Sequence, residues 1–163
     1  MGASVAASPL KEAQAEFIQG GVATTVASCS ARGLPSLSRS VCCTVSSDRQ
    51  RITVLLRRSQ AGALLEDVAR SRTVAVVFAQ PSTHRTLQIK SIDAVVHAPE
   101  VIDTARMARQ AEGFHRELAP LGYTAEWTQA MLGYTPDDLV AVSFTPQAIF
   151  SQTPGPKAGE RLA

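Results

Sequence analysis

The sequence has few aromatic residues, almost no net charge and no long hydrophobic run. Of its 163 residues only 5% are aromatic, and 16 basic against 14 acidic residues leave a net charge of +2. So small a charge argues against nucleic acid or an anionic membrane surface as a partner. The longest apolar run, residues 73–79, is far shorter than the roughly 20 residues that span a bilayer. We therefore expect no membrane partner.

The sequence is also poor in cysteine and histidine, and their spacing fits no metal site. The three cysteines, Cys29, Cys42 and Cys43, form no CxxC pair, and the three histidines are scattered with no HExxH. A zinc site needs three or four ligands, so no metal is predicted. A small, odd number of cysteines is typical of a reducing compartment, where thiols serve as small buried hydrophobes.

The chain contains enough apolar material for one domain. Hydrophobic residues make up 45% of it, and a domain of this length buries about two-thirds of its unfolded surface without a disulfide or metal. We expect residues 1–163 to form a single domain, with a loose start at residues 1–7 and a Pro/Gly-rich tail at residues 151–163. The first residues lack the basic segment and apolar stretch of a secretory signal, which favours a cytoplasmic location.

Alternation, β-branched residues and turn residues define six segments with strand character. They predict strands at residues 22–30, 36–45, 51–56, 73–78, 84–96 and 139–144. Helical spacing predicts helices from the Ser8-Pro9 opening to Ile18, from Ser59 onward, over residues 99–118, and in a short stretch before Thr135. This order favours a mainly β, α+β fold, in which a six-stranded antiparallel barrel carries helices on its outside.

The segment RRSQAGALLEDV combines two arginines at a predicted strand end with a predicted helix start. Arg57 and Arg58 precede Ser59, which suits a helix cap. Guanidinium groups and the N–H groups of a helix N-terminus both suit a phosphate. Neither a GxxxxGK[ST] nor a GxGxxG motif is present, which argues against a nucleoside triphosphate or a Rossmann cofactor. The alternative is a solvated arginine pair beside a capped helix.

The predicted strand SLSRSVCCTV carries one arginine among small residues. Strict alternation places Arg39, Val41 and Cys43 on one face and the residues between them on the other. An arginine beside small and apolar side chains suits the rim of a groove for a flat ligand. An exposed arginine on an ordinary edge strand is the alternative.

Other aromatic and acidic residues each allow two interpretations. Tyr123, Trp127 and Tyr134 suit either the wall of a pocket or the packing of helices. Asp137 and Asp138 suit either a helix cap or the surface. No GxSxG motif is present, and the sequence reveals no Ser/His/Asp set.

Taken in order, these features resemble the pyridoxamine 5′-phosphate oxidase-related proteins, the FMN-binding split-barrel superfamily. The resemblance covers residues 17–96: the turn ARGLP, the Arg-led strand at 39–41, the segment RRSQAGALLEDV, and the strands TVAVVF and HRTLQIKSIDA. The ending VAVSFTPQAIFSQTPGPKAG is similar to the tails of bacterial members. The resemblance implies a six-stranded split barrel that works as a homodimer, with FMN at the subunit interface.

In that superfamily the Arg-led strand lies along the flavin, the next strand end holds the phosphate, and a later strand also reaches the cofactor. By position, the implied cofactor-binding residues are Arg39, Ser40, Val41, Cys42, Arg57, Arg58, Ser59, Gln60, Thr86 and Gln88. The oxidase itself carries basic residues at two places where this sequence does not. Thr44 stands where the oxidase has a lysine, and residues 61–63 are small where the oxidase has an Arg-Lys pair. A true pyridoxamine phosphate oxidase is therefore not expected.

The resemblance predicts an FMN-dependent oxidoreductase that acts on a small molecule, which the sequence does not identify. FMN is the expected cofactor, with a deazaflavin or haem as alternatives. Arg39 would stabilise negative charge on the reduced ring, and no catalytic residue is assigned. The rival hypothesis is a non-enzymatic binder of flavin, haem or another planar ligand that serves as a carrier or sensor.

Overall fold

One antiparallel sheet of eight strands frames the protein, whose computed structural model describes residues 9–163. The strands are β1 (Ala23–Cys29), β2 (Pro35–Val45), β3 (Ile52–Arg57), β4 (Val74–Ala79), β5 (Thr86–Ser91), β6 (Val95–His97), β7 (Leu139–Phe144) and β8 (Ala148–Ser151). They lie in the order β6-β7-β3-β2-β1-β4-β5-β8. The predicted loose start at residues 1–7 and the predicted cap Ser8 lie outside the described residues.

The sheet curls into a barrel because strands from its opposite ends follow each other closely in sequence. Residues 92–94 alone join β5 to β6, and residues 145–147 alone join β7 to β8. The two strands of each pair lie near opposite ends of the sheet, yet a link of three residues reaches only about 14 Å. The two ends of the sheet must therefore lie close together, and the predicted mainly β, antiparallel frame with helices is confirmed.

The sequence predicts six strands, whereas the structure has eight in its described part. The predicted strand at 84–96 is two strands, because Asp93 forms a turn between them. Its Oδ1 accepts hydrogen bonds from Ser91 Oγ at 2.7 Å and from the Thr145 N–H at 2.9 Å. The eighth strand, β8, has four residues, too few for a detectable alternation.

The concave face of the sheet encloses the main hydrophobic core, which α1 (Glu12–Ile18) and α2 (Arg58–Ser71) complete. Phe78 and Phe144 from the sheet are fully buried there. Leu64 and Val68 anchor α2 in the same core. Because α2 follows β3 directly, this packing fixes where the N-terminus of α2 lies.

The other two helices, α3 (Thr104–Leu118) and α4 (Ala125–Leu132), lie outside the barrel. α3 begins at Thr104 rather than at residue 99 because Asp103 caps it, accepting the Arg106 N–H at 2.8 Å. α2 begins at Arg58, so Ser59 lies in its first turn and is not the N-cap residue. No helix in the described part is long and apolar enough to cross a membrane.

A β-bulge changes which residues of β2 face outward. The register with β3 shifts between Ser40 and Cys42, so Val41 is an extra residue. Cys43 then packs into the main core, whereas Val41 and Cys42 pack on the outer side with α3. The predicted alternation, which put Cys43 on the same face as Arg39, is wrong for this reason.

Two glutamine side chains hold α3 on the outer side of β2. Gln110 Nε2 donates to the Cys43 carbonyl at 2.5 Å, and its Oε1 accepts the Cys43 N–H at 2.9 Å. Gln19 Oε1 accepts the Val45 N–H at 2.9 Å and the Arg106 guanidinium at 3.1 Å. Backbone groups removed from water need such partners, so these contacts fix α3 where β1 no longer pairs with β2.

The Pro/Gly-rich tail folds back along β8. The Ile149 N–H donates to the Ala163 carbonyl at 3.0 Å, and the Leu162 N–H donates to the Ile149 carbonyl at 2.7 Å. Phe150 and Arg161 form an isolated bridge. These contacts cover the free edge of β8, which would otherwise expose unpaired backbone groups.

Candidate functional site

A groove on the outer face of the sheet contains Arg39, and we call it the Arg39 groove. It has a volume of about 360 Å³ and lies between β1, β4 and β5 on one side and α3 and α4 on the other. Its lining includes Arg39, His84, Thr86, Phe114, Tyr123 and Trp127. One guanidinium and several aromatic rings therefore share one concave surface.

The floor of the Arg39 groove consists of small side chains in one row across three strands. Ala23 on β1 pairs with Ala79 on β4, which pairs with Thr86 on β5. Arg39 lies on the adjoining strand β2, opposite Thr25. Such small side chains leave the space above the sheet free for a flat molecule.

Arg39 is half-buried, and no carboxylate neutralises its charge in the described part of the chain. The side-chain salt bridges there involve Arg70, Arg106 and Arg116, each with an acid on or next to its own helix. A guanidinium carries five donors in one plane and stays charged at all physiological pH values. Arg39 is thus suited to recognise an anionic or carbonyl-rich edge of a ligand.

Two aromatic rings on the helical side form a wall of the groove. The centroids of Tyr123 and Trp127 lie 4.5 Å apart with an angle of 42° between their planes. The two residues remain 42% and 43% exposed, so their ring faces are accessible to a ligand. Tyr134 instead packs beside α3 against a second group of buried residues, which we call the outer cluster: Val41, Cys42, Leu55, Met107, Leu139 and Ala141. Tyr123 and Trp127 therefore form part of a pocket wall, whereas Tyr134 contributes to packing.

The turn between β4 and β5 forms the rim of the groove, and α3 holds it in place. Glu117 Oε1 accepts from Gln80 Nε2 at 2.9 Å, and its Oε2 accepts the Ser82 N–H at 3.2 Å and the Ser82 hydroxyl. This turn carries His84, whose φ is 60°. The Thr86 hydroxyl donates to the His84 carbonyl at 2.9 Å. The rim is therefore tied to both the sheet and α3.

The N-terminus of α2, which is the predicted phosphate site, holds a carboxylate of the chain itself. Asp138 Oδ2 accepts from Ser59 Oγ at 2.6 Å, and its Oδ1 accepts the Ser59 N–H at 2.8 Å. Asp138 ends a short 3-10 turn just before β7. The Ser59 hydroxyl and N–H, together with Arg57 and Arg58, hold the pKa of Asp138 below its ordinary value. Asp138 is therefore ionised at neutral pH and caps α2.

Arg57 is also engaged within the chain. Its two terminal nitrogens donate to the Gly133 carbonyl at 2.8 Å and the Met131 carbonyl at 3.0 Å. These carbonyls end α4, where a cation is favourable. Arg57 Nε is buried and has no partner among the described residues. Arg57 thus ties the start of α2 to the end of α4.

Residues 131–138, which we call the 131–138 segment, run between the Arg39 groove and the N-terminus of α2. Met131 lines the groove. Leu132 lies against the bulge of β2, at a void of only about 20 Å³. Tyr134 packs on the outer cluster, and the last residue of the segment reaches Ser59. The segment therefore covers the part of β2 that is predicted to lie along a flavin.

The three cysteines divide into two environments. Cys42 and Cys43 are buried, as predicted, whereas Cys29 is exposed. The prediction of a buried Cys29 is wrong because this residue ends β1 beside the exposed turn that leads to β2. Burial raises the pKa of the Cys42 thiol to about 11 and raises that of Cys43 as well. Both buried thiols therefore stay protonated and serve as packing groups.

The structure brings two of the predicted cofactor residues, Arg39 and Thr86, into one groove. Gln88 lies at its edge, where its Oε1 accepts from Gln152 Nε2 at 3.3 Å. The other predicted residues lie elsewhere. Ser40, Val41 and Cys42 are buried under α3 and the 131–138 segment. Arg57 and Ser59 form hydrogen bonds within the chain, and Arg58 and Gln60 are exposed on the first turn of α2. FMN needs a ring site and a phosphate site. The groove fits the ring, but the donors at α2 do not fit a phosphate while Asp138 holds them.

Sequence reasoning did not assign Asp138 to the site, because its partner Ser59 is 79 residues away in the chain. The pair Asp137–Asp138 allowed either a helix cap or a surface position. Asp138 is a helix cap, but the helix that it caps begins far earlier in the sequence. A contact of this kind leaves no local signal.

Comparisons with known proteins identify the fold. No protein-family profile matches the chain, and no curated protein matches its sequence. Its structure is similar to HupZ of Group A Streptococcus, with a TM-score of 0.54 at 13% identity, over 92% of this chain and 99% of that one. It is similar to a candidate pyridoxamine 5′-phosphate oxidase from Lactobacillus delbrueckii, with a TM-score of 0.54 at 20% identity, over 87% and 93%. An F420 reductase gives 0.55 at 12% identity, over 86% and 98%.

The chain therefore shares the fold of these proteins, which is the split barrel that the sequence resemblance predicts. The split-barrel similarity extends over nearly the whole chain, whereas the resemblance in sequence covers residues 17–96. Within the described part of this split barrel, no three histidine, cysteine or carboxylate side chains gather as they would around a metal ion.

Proposed function

We propose that this protein binds a flat, flavin-type ring in the Arg39 groove. The observation that carries the proposal is the half-buried Arg39 guanidinium beside a floor of small side chains, with no carboxylate to neutralise it in residues 9–163. A charge held in a partly dry groove favours a ligand with negative or carbonyl-rich character. The pyrimidine side of a flavin ring has that character.

The shape of the groove supports a flat ligand over a bulky one. Ala23 and Ala79 keep the sheet surface low, while Tyr123 and Trp127 rise on the opposite side. A volume of about 360 Å³ lies within the range typical of small-molecule sites, about 300–1,000 Å³. Exposed aromatic faces stack favourably on planar rings. A ring lying between the sheet and this wall would present one edge to Arg39.

We further propose that two copies form a homodimer and that the ligand lies at their interface. Beyond the Arg39 groove, the outer face of the same strands is open and apolar. Leu37 and Ile92 are 66% and 61% exposed there, next to a second, largely apolar concavity of about 520 Å³ beside Ala27 and Ala75. A second copy that covers this face would also close the groove from the solvent side.

A flavin-dependent oxidoreductase that acts on a small molecule is the more specific form of this proposal. The similarity in fold to an F420 reductase favours it. When bound, a flavin or deazaflavin supplies the electron transfer, and the protein supplies binding, orientation and electrostatics. Arg39 would stabilise negative charge on the reduced ring. The engaged donors at α2 favour instead a non-enzymatic carrier or sensor of a planar ligand that needs no phosphate contact there, because Asp138 already accepts from them.

One purified sample tests the proposals of flavin binding, of a homodimer and of oxidoreductase activity together. We expect purified protein incubated with excess riboflavin or FMN to retain about one flavin per chain after desalting, and to sediment as a dimer. Bleaching of the retained flavin by NADH or NADPH, followed by recovery in air, supports the oxidoreductase, while retention without bleaching supports the carrier. A haem spectrum from the purified protein would make haem the ligand. Protein that retains no flavin, with an unchanged Tm, would contradict the proposal.

A further inference from the structure

We propose that Asp138 fills the anion site of this split barrel, so that the protein selects flat ligands that carry no phosphate at the N-terminus of α2. The inference rests on the proposed function for the identity of the ligand. The occupied anion site itself is independent of it. In this arrangement Asp138 determines ligand specificity, although it lies outside the groove that holds the ring.

The geometry of the contact is that of an anion bound at a helix N-terminus. One carboxylate oxygen accepts a backbone N–H of the first turn of α2 at 2.8 Å, and the other accepts the Ser59 hydroxyl at 2.6 Å. These are the two kinds of donor that a phosphate uses at such a position. Both are taken by a group that the chain supplies, 79 residues away in sequence.

The surrounding charges fit the carboxylate that is already there. Arg57 and Arg58 lie close enough to lower the pKa of Asp138, so the carboxylate keeps its charge at neutral pH. A phosphate brought beside it would meet a like charge in place of free donors. The ligand would therefore be repelled by the same site that would otherwise attract it.

The neighbouring residues prevent an easy exchange of one anion for the other. Arg57 cannot turn toward an incoming phosphate without leaving the Met131 and Gly133 carbonyls. Asp138 cannot make way for a phosphate without losing both of its hydrogen bonds to Ser59. Exchange of the two anions would therefore break side-chain contacts of both Arg57 and Asp138.

The test compares FMN with riboflavin, which share a ring and differ in the phosphate. We expect the wild-type protein to bind riboflavin at least as tightly as FMN, because the phosphate gains no donors and meets the like charge of Asp138. Asp138→Ala exposes the Ser59 donors and should shift the ratio toward FMN by about tenfold or more, the effect of a charge-assisted hydrogen bond. Asp137→Ala is the matched control, since it removes the same charge one residue away. Its ratio should equal that of the wild type.

A second probe separates this inference from the flavin proposal. If no variant binds either flavin, inorganic phosphate is titrated while the Tm is measured. A phosphate-dependent rise in Tm for Asp138→Ala, absent from the wild type and Asp137→Ala, supports the filled anion site without any flavin. If Asp138→Ala does not fold, Asp138→Asn keeps the side-chain volume, removes the charge and should shift both readouts in the same direction.

Two results overturn the inference. The first is a wild-type protein that prefers FMN over riboflavin by tenfold or more, because the phosphate would then find donors despite Asp138. The second is a folded Asp138 variant with an unchanged FMN-to-riboflavin ratio or, where no flavin binds, no response to inorganic phosphate.

Discussion

The Arg39→Gln protein is expected to bind riboflavin at least about tenfold more weakly than the wild type. Glutamine keeps hydrogen-bonding capacity but removes the charge and the planar five-donor group. Arg39 is half-buried and forms no salt bridge in the described part of the chain, so its replacement should leave the free energy of unfolding nearly unchanged. A titration followed by flavin fluorescence measures the dissociation constant. The Tm of the variant reports whether the fold is intact.

Arg32→Gln is the matched control for this prediction. Arg32 is exposed in the turn between β1 and β2 and does not line the Arg39 groove. The substitution changes the net charge by the same amount, so any general electrostatic effect appears in both variants. Equal affinities for Arg39→Gln and wild type would remove Arg39 from the ligand site, whereas equal losses in both variants would reduce its role to non-specific attraction.

The Gly21→Ala protein is expected to lose about 3 kcal/mol of its free energy of unfolding. A Cβ atom at Gly21 would lie 2.2 Å from the carbonyl carbon and 2.3 Å from the carbonyl oxygen of Gly113 in α3. Both are backbone atoms, so the clash is relieved only by moving the backbone of α3 or that of the link between α1 and β1. The expected fall in Tm is about 6–12 °C for a chain of this size. A thermal melt by circular dichroism measures it.

The same substitution should weaken ligand binding, because α3 carries part of the wall of the Arg39 groove. Phe114 and Leu118 lie on α3 and line the groove, directly after the Gly21–Gly113 contact. Gly62→Ala is the control, since a Cβ atom there meets nothing within 4 Å. In the interior of α2 it should stabilise the protein by about 0.5–1 kcal/mol. A Gly21→Ala melt that matches the wild type would mean that α3 does not approach so closely.

Much of the frame could be predicted from the sequence because its signals are local. β-branched runs and turn residues gave the strands that became β1 to β4 and β7, and helical spacing gave four helices. The bulge at Val41 was not predictable, since Val41, Cys42 and Cys43 are all apolar enough to face either way. The predicted strand at 84–96 became two strands, β5 and β6, and only β8 was missed, because its four residues pair with β5 far earlier in the chain and show no local pattern.

The site was harder to predict because it depends on contacts across the chain. The resemblance brought Arg39 and Thr86 together by position, and the structure puts both in one groove. It also assigned Arg57 and Ser59 to a phosphate, but it could not anticipate that α4 and Asp138 would engage them. No spacing rule relates residue 59 to residue 138. The polar partners of a helix N-terminus are set by which loop reaches it.

The three arginines among the predicted cofactor residues therefore divide between two places. Arg57 and Arg58 lie at the start of α2, where Asp138 meets their charge. Arg39 lies in the groove with no carboxylate partner in residues 9–163. This division is the physical reason to expect that the ring of a ligand, rather than its phosphate, contributes most of the binding.

The emission of Trp127 tests the central claim most directly. Trp127 is the only tryptophan in the chain and lines the Arg39 groove, so the tryptophan emission of the protein comes from that groove. Titration of the wild-type protein with riboflavin should quench this emission to a plateau at about one flavin per chain, and Arg39→Gln should move the midpoint to at least about tenfold higher concentration. Flavin that is retained by the protein while the emission of Trp127 stays unchanged would contradict the account.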